Sequence, residues 1–99
     1  MVFSWDEKKR EDNWRLRKVD FAEAIGIFDD AEVVESIDHR EAYGEERIQA
    51  LGQTGGNFYL VVYTWRQGSR HIITAWKVGD HGKRRYEALF ARRDRRDEK

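Results

Sequence analysis

The chain has 99 residues, 38% of them charged and 39% hydrophobic, and it contains no cysteine. One domain with one core is therefore expected, without disulfides or thiolate chemistry. The net charge is zero, yet residues 1–65 hold 8 Lys/Arg against 14 Asp/Glu and residues 66–99 hold 11 against 5. The basic part suits a polyanionic or acidic partner, unless the opposite charges meet in space and cancel.

Two further classes are excluded at this level. No apolar run reaches the roughly 18 residues of a membrane span, so we expect a cytoplasmic protein with no membrane contact. The three histidines lack the spacing of a metal site, so neither a metal nor another cofactor is expected.

The N-terminal part predicts a short strand and a polar helix. Residues 2–5 are an apolar start, read as an edge strand or a staple, and the run 6–18 contains no helix breaker. Either Ser4, in a capping box, or Asp6 supplies the N-cap. The helix has two clear apolar residues that do not share a face, Trp14 and Leu16. It is not stable alone and must lie on another element.

A second helix is predicted after Asp20, which forms a capping box with Glu23. Apolar residues then recur at i, i+3, i+4 and i+7, which is one stripe of a short amphipathic helix. These residues are Phe21, Ala24, Ile25 and Phe28. The acidic pair Asp29-Asp30 is expected to end this helix.

Four strands follow, read at residues 32–37, 47–51, 58–65 and 70–77. The third is apolar on both alternating faces, which is typical of a central strand covered on both sides. The glycine-rich run 52–56 is read as the loop before it. Gly68 supplies a positive φ for the turn between the last two strands.

A final helix is predicted from Asp80, with a stripe of Tyr86, Leu89 and Phe90. The charged tail 92–99 is expected to fray. Residues 1–91 then form a single α+β domain. It is expected to have a mostly antiparallel sheet of four to five strands, two N-terminal helices and one C-terminal helix.

Three blocks of residues, in order along the chain, carry a resemblance to a known family. The first is Phe3-x-Trp5-Asp6-x-x-Lys9-x-x-x-Asn13, Val19-Asp20-Phe21-x-Glu23-Ala24 and Phe28-x-Asp30. The second is Asp38, Gly44-Glu45-Glu46-Arg47 and Gly52. The third is Ile72-Ile73-Thr74-Ala75, Lys77 and Tyr86. In this order, they resemble the signature of the BrnT toxins.

The resemblance implies a RelE-like fold and the toxin of a bacterial type II toxin–antitoxin pair, acting as a metal-independent ribonuclease on RNA. It also implies a partner, a ribbon-helix-helix antitoxin of the BrnA kind that neutralises the toxin. The complex of such a pair represses its own operon, so operator DNA is bound only through the antitoxin.

The chain departs from the family pattern at three places. It has Leu16-Arg17-Lys18 where Lys-His-Gly is usual, His71 where an arginine is usual, and Thr74-Ala75-Trp76 where Ser-Ala-Arg is usual. Arg17 and Arg70 are candidates to substitute, whereas Trp76 carries no charge. Two alternatives therefore stay open. One is a catalytically weakened homologue that acts through antitoxin binding and operon autoregulation, and the other is an α+β binding module with no toxin role.

Such a nuclease needs cations near the phosphoryl oxygens and a group that moves protons. The candidate catalytic residues are His71, Lys77, Arg47 and Arg70, with Tyr86 as a candidate acid. The candidate RNA-binding residues are Lys9, Arg66, Trp76, Lys83, Arg84 and Arg85. Structural alternatives stay open, such as a solvated Lys9, an ion pair of Arg47 with Glu45 or Glu46, and a core position for Tyr86.

The spacing of the candidates on the last strand predicts their faces. His71 and Lys77 are separated by an even number of residues, so they are expected on one face of the sheet. Arg70 is expected on the other face unless a bulge turns it.

Overall fold

A five-stranded sheet with helices on one face is the architecture of the computed structural model, which describes residues 2–38, 44–80, 82, 84 and 88. The elements are β1 (Phe3–Trp5), α1 (Glu7–Arg17), α2 (Phe21–Ala24) with a 3₁₀ helix (Ile25–Asp29), β2 (Val34–Asp38), β3 (Arg47–Thr54), β4 (Asn57–Arg66) and β5 (Ser69–Val78). The strand order is β1-β5-β4-β3-β2, and β1 is parallel to β5 while the other described neighbours are antiparallel. The predicted α+β class and mostly antiparallel sheet are confirmed.

Helix α1 begins at an aspartate cap. The carboxylate of Asp6 accepts hydrogen bonds from the backbone N–H groups of Lys8 (2.8 Å) and Lys9 (3.3 Å), which satisfies two of the free donors at the helix start. Asp6, rather than Ser4, is therefore the N-cap. The helix ends at Lys18, whose φ of 58° is left-handed.

The second helix is shorter than its apolar stripe predicts. Asp20 caps it as expected, accepting from the N–H of Ala22 at 3.0 Å, but the chain tightens into the 3₁₀ helix after Ala24. A three-residue period places Ala24 and Ile27 on one side. Ile27 is fully buried, while Ile25, the residue of the predicted stripe, is half-buried and packs against the same core.

Two tight turns join the last three strands. Gly55 and Gly56 have φ values of 58° and 81°, and Gln67 and Gly68 have values of 53° and 77°, as two-residue hairpin loops of the I′ kind require. The predicted loop at 52–56 is wrong in its first three residues, because β3 continues to Thr54. Gly52 lies within β3, where Ile27 packs closely against the strand. A Cβ at this position would lie 2.8 Å from the Cβ of Ile27, so a larger residue would clash.

Strand β4 is covered on both faces, as its sequence predicts. Its residues 59–64 are all buried. One face joins a large core with the helices, to which Tyr59, Val61 and Tyr63 contribute. The other face carries a smaller cluster around Leu60, with Leu51 from β3 and half-buried Trp76 from β5.

A β-bulge changes the facing of β5 halfway along the strand. Val62 pairs with Thr74 and Tyr63 pairs with Ile72, so Ile73 is the extra residue. Ile72 and Ala75 consequently both face the helix core although they are three apart.

The bulge overturns the predicted faces of the cationic candidates. Lys77 pairs with Tyr59 and lies on the helix face, whereas His71 pairs with Thr64 and lies on the opposite face. The expectation that His71 and Lys77 share a face is therefore wrong. Arg70, which pairs with Trp65, shares the helix face with Lys77.

Asn13 attaches α1 to the edge of β5 beyond the end of β1. It is 6% exposed, and its Nδ2 donates to the carbonyls of Val19 (3.0 Å) and Ala75 (2.8 Å). Its Oδ1 accepts from the Thr74 hydroxyl (3.0 Å) and the Ala75 N–H (3.4 Å). The side-chain amide thus bonds both backbone groups of Ala75, as a neighbouring strand would.

Two parts of the prediction lie partly or wholly outside the described residues. Asp80, Gly82, Arg84 and Ala88 have helical backbone conformations, but Tyr86, Leu89, Phe90 and the tail 92–99 are not described, so the final helix and the frayed tail stay predictions. Among the described helices, none is long and apolar enough to cross a membrane.

We predict that Asn13→Asp destabilises the protein by about 2 kcal/mol or more. The new carboxylate has no N–H for the carbonyls of Val19 and Ala75, and it buries a charge. Chemical denaturation gives the free energy of unfolding. Glu11→Gln, a matched acid–amide change at an exposed position of α1, should stay within about 0.5 kcal/mol. Equal stability of the two variants would contradict the role of Asn13.

Candidate functional site

An open groove lies where β1, β5 and the β4–β5 turn meet. Its volume is about 680 Å³, and it is lined by Val2, Phe3, Ser4, Arg66, Gln67, Ser69 and His71. His71 lies in it because it pairs with Thr64, on the face of the sheet that points away from the helices. The groove therefore combines an imidazole, a guanidinium and two hydroxyls at one end of the sheet.

His71 is held in place and kept neutral by its surroundings. Its Nδ1 is 2.9 Å from the Oγ of Ser4, which pairs with it across the parallel β1–β5 ladder. Burial lowers the pKa of His71 below its ordinary value, and the charges of Arg66 and Lys9 lower it further, against Glu45 and Asp6, which raise it. A neutral imidazole at pH 7 can accept a proton.

Two cations accompany His71. Arg66, with 51% of its side chain exposed, forms an ion pair with Glu45 at 3.2 Å, and Lys9 is exposed in the first turn of α1. Both act electrostatically on His71. The structure thus places two of the predicted residues, His71 and Arg66, in the lining of the groove. Lys9 does not line the groove and acts on His71 through its charge.

Arg47 lies on the same side of the sheet as His71. It precedes Ile48, which pairs with Tyr63 and faces the helix core, so Arg47 lies on the opposite face beside Thr64. Thr64 pairs with His71, which puts Arg47 and His71 two strands, or about 10 Å, apart. On its other side, Arg47 pairs in the ladder with buried Asp38.

Arg70 belongs to the core rather than to the groove. Its guanidinium carbon lies 4.4 Å from the ring centre of Phe28, 4.7 Å from that of Trp65 and 5.2 Å from that of Tyr63. Its Nη2 is 3.7 Å from the Oε1 of Glu35, to which the Tyr63 hydroxyl also donates at 2.8 Å. Burial raises the pKa of Tyr63 to about 12, so this hydroxyl stays protonated.

The remaining candidates are not gathered with His71. Lys77 is exposed on the helix face, and Trp76, half-buried on the other face, has the guanidinium carbon of Arg17 at 4.9 Å from its ring centre. Arg84 is exposed, while Lys83, Arg85 and Tyr86 lie outside the described residues. Within the described ranges, no group of three His, Asp or Glu side chains could hold a metal ion.

Sequence reasoning missed Ser4 as a site residue and considered it only as a helix cap. Its contact with His71 depends on parallel pairing between segments 67 positions apart. No local pattern in the sequence reports that register.

We predict that Arg70→Ala lowers the free energy of unfolding by about 2 kcal/mol or more, because it removes cation–π contacts with three aromatic rings and leaves a cavity. Arg66→Ala is the matched control on the same hairpin. Its exposed ion pair is worth about 0–1 kcal/mol. Urea denaturation of both variants provides the comparison, and a larger loss for Arg66→Ala would contradict this assignment.

Comparison with known families identifies the chain. The model of the family described as "Ribonuclease toxin, BrnT, of type II toxin-antitoxin system" matches residues 5–82. A search of curated proteins finds no match. The matched range covers most of the chain, from the last residue of β1 to beyond the end of β5. It includes Arg66, Gln67, Ser69 and His71 of the groove, whereas Val2, Phe3 and Ser4 precede it. The chain therefore belongs to the BrnT family of ribonuclease toxins of type II toxin–antitoxin systems.

Proposed function

We propose that this protein is an endoribonuclease toxin that cleaves cytoplasmic RNA without a metal ion and that its fold is RelE-like. The observation that carries the proposal is a histidine in an open groove beside an exposed arginine, with a pKa that burial lowers. Imidazole and guanidinium supply the two requirements of RNA cleavage, proton transfer and stabilisation of phosphoryl charge. A long, flexible substrate suits a groove that is open to solvent.

In the proposed reaction, His71 accepts the proton of an RNA 2′-hydroxyl through the Nε2 atom. The freed oxygen attacks the adjacent phosphorus, the bond from phosphorus to the 5′-oxygen breaks, and Tyr86, the candidate acid, gives a proton to that leaving oxygen. The products are a 2′,3′-cyclic phosphate and a 5′-hydroxyl. Arg66 and Lys9 stabilise the negative charge that develops on the phosphoryl oxygens, and Arg47 lies on the same face of the sheet.

Binding of the RNA beyond the scissile phosphate is assigned to the basic residues that follow β5. These are Lys83, Arg84 and Arg85, with Tyr86 as the candidate acid. The missing charge at Trp76 is offset by Arg17, whose guanidinium lies over the indole ring at 4.9 Å. This pair favours an active nuclease over a catalytically weakened homologue, because a cation is present near the position where the family usually has arginine.

We predict that His71→Ala lowers the rate of RNA cleavage by about 10²–10³. Lys77→Ala is the matched control, since Lys77 lies on the opposite face of the same strand and should leave the rate within about 3-fold. Cleavage of a labelled RNA by the purified protein in excess EDTA measures both. A loss confined to Lys77→Ala, or cleavage that needs added metal, would contradict the proposed site.

The pH dependence tests the protonation state of the same residue. A base must be deprotonated, so kcat/KM should rise with pH and reach its plateau with a midpoint below the ordinary histidine value of 6.5. Lys9→Ala removes a charge that lowers the pKa of His71, so the midpoint should move to higher pH. A midpoint that moves downward would rule out this electrostatic coupling.

A type II toxin is paired with an antitoxin, and we propose a BrnA-like ribbon-helix-helix protein that connects the toxin to operator DNA. The apolar side chains of α1 support a protein partner, because Trp14 is 53% exposed and Leu16 is 74% exposed. Expression of the chain alone should arrest growth, and co-expression of an adjacent ribbon-helix-helix gene should restore it. A stable complex without growth arrest by the free chain would favour the weakened homologue instead.

A further inference from the structure

Ser4 is held against His71 by the packing of its own strand. Its neighbours Phe3 and Trp5 point to the helix core, where their rings lie 5.5 Å from Phe28 and 6.1 Å from Phe21. Because side chains alternate along a strand, Ser4 must face the other side of the sheet. There its Oγ lies 2.9 Å from the Nδ1 of His71.

This hydrogen bond bears on which nitrogen of His71 carries the proton. A neutral imidazole has one N–H and one lone pair, and the partner of one nitrogen sets the state of the other. The hydroxyl of Ser69 lies 3.5 Å from the Oγ of Ser4 and can donate to it. Ser4 then retains a lone pair for an N–H of His71.

We propose that Ser4 is the positioning residue of the nuclease, accepting a hydrogen bond from Nδ1–H of His71 so that the lone pair of Nε2 faces the groove. The inference rests on the proposed function and deepens it. In the reverse arrangement, Nε2 would carry the proton and could not take one from the 2′-hydroxyl. Arg66 also lines the groove, but its guanidinium is already protonated. The imidazole of His71 is therefore the side chain in the groove lining with a nitrogen lone pair that can accept a proton.

The tautomer of His71 can be measured without RNA. In the ¹⁵N spectrum of the full-length protein, the two ring nitrogens of a neutral histidine have distinct shifts, and His71→Gln identifies the signal of this residue. We expect a single Nδ1–H tautomer in the wild type, a mixture of both tautomers in Ser4→Ala, and the single tautomer again in Ser4→Thr, which keeps the hydroxyl.

RNA cleavage provides the second measurement. Ser4→Ala should lower kcat by about 10-fold with KM unchanged, and Ser4→Thr should recover most of the rate. Thermal unfolding of both variants shows whether β1 remains in place. Threonine restores the hydroxyl of Ser4 but is larger than serine. Recovery of the cleavage rate in Ser4→Thr would therefore show that the hydroxyl matters, and a role of Ser4 in packing alone would not produce that recovery.

Two results would overturn the proposal. One is an Nε2–H tautomer in the wild type, and the other is a tautomer and rate unchanged in a folded Ser4→Ala variant. Failure of the proposed function is distinguishable from both. If the wild type does not cleave RNA while its tautomer responds to Ser4→Ala, the nuclease assignment is wrong and the control of His71 by Ser4 stands.

Discussion

The hydrogen bonds between the side-chain amide of Asn13 and the backbone of Ala75 are the interaction on which the rest of the structure depends. β1 pairs with β5 only as far as Ile72, which leaves the following backbone of β5 at an edge of the sheet. Asn13 bonds both the N–H and the C=O of Ala75 at that edge, so a helix replaces the missing strand. Since buried backbone groups must be paired, this position fixes α1. It also fixes β1 directly before the helix, and with it Ser4 and Lys9.

The bulge at Ile73 decides which later residues of β5 share a face of the sheet with His71. In a regular strand, with His71 facing away from the helices, Lys77 would share its face and Trp76 would point toward the helices. The extra residue reverses the second half of the strand, so Trp76 packs against Leu60 on the face of His71 while Lys77 lies beside Tyr59. A single inserted position thus puts on opposite faces two candidate residues that a regular strand would place on the same face.

The sequence could predict what depends on neighbours along the chain. Aspartate caps and the apolar pattern on both faces of β4 are local. The predicted bounds of α1 and of the strands lie within two residues of the observed ones, except that β3 ends three residues later than predicted. The remainder depends on contacts between distant segments. Gly52 looks like a loop residue until Ile27 is found packed against it. The bulge and the contact of Ser4 with His71 depend on strand register, which a segment of three residues such as β1 does not specify.

The two arginines of the β4–β5 hairpin, Arg66 and Arg70, pair with acidic residues in different environments. Arg70 has 14% of its side chain exposed, forms an ion pair with Glu35 and lies against the ring of Phe28. Its charge therefore stabilises the packing of the core. Arg66 meets Glu45 with 51% of its side chain exposed, where an ion pair is worth about 0–1 kcal/mol. A phosphate that offers two charged oxygens to the same guanidinium competes readily with that carboxylate. The charge of Arg70 is therefore held within the core, whereas the exposed ion pair of Arg66 can be exchanged for a phosphate. For this reason we propose Arg66, rather than Arg70, as the arginine that binds RNA in the groove.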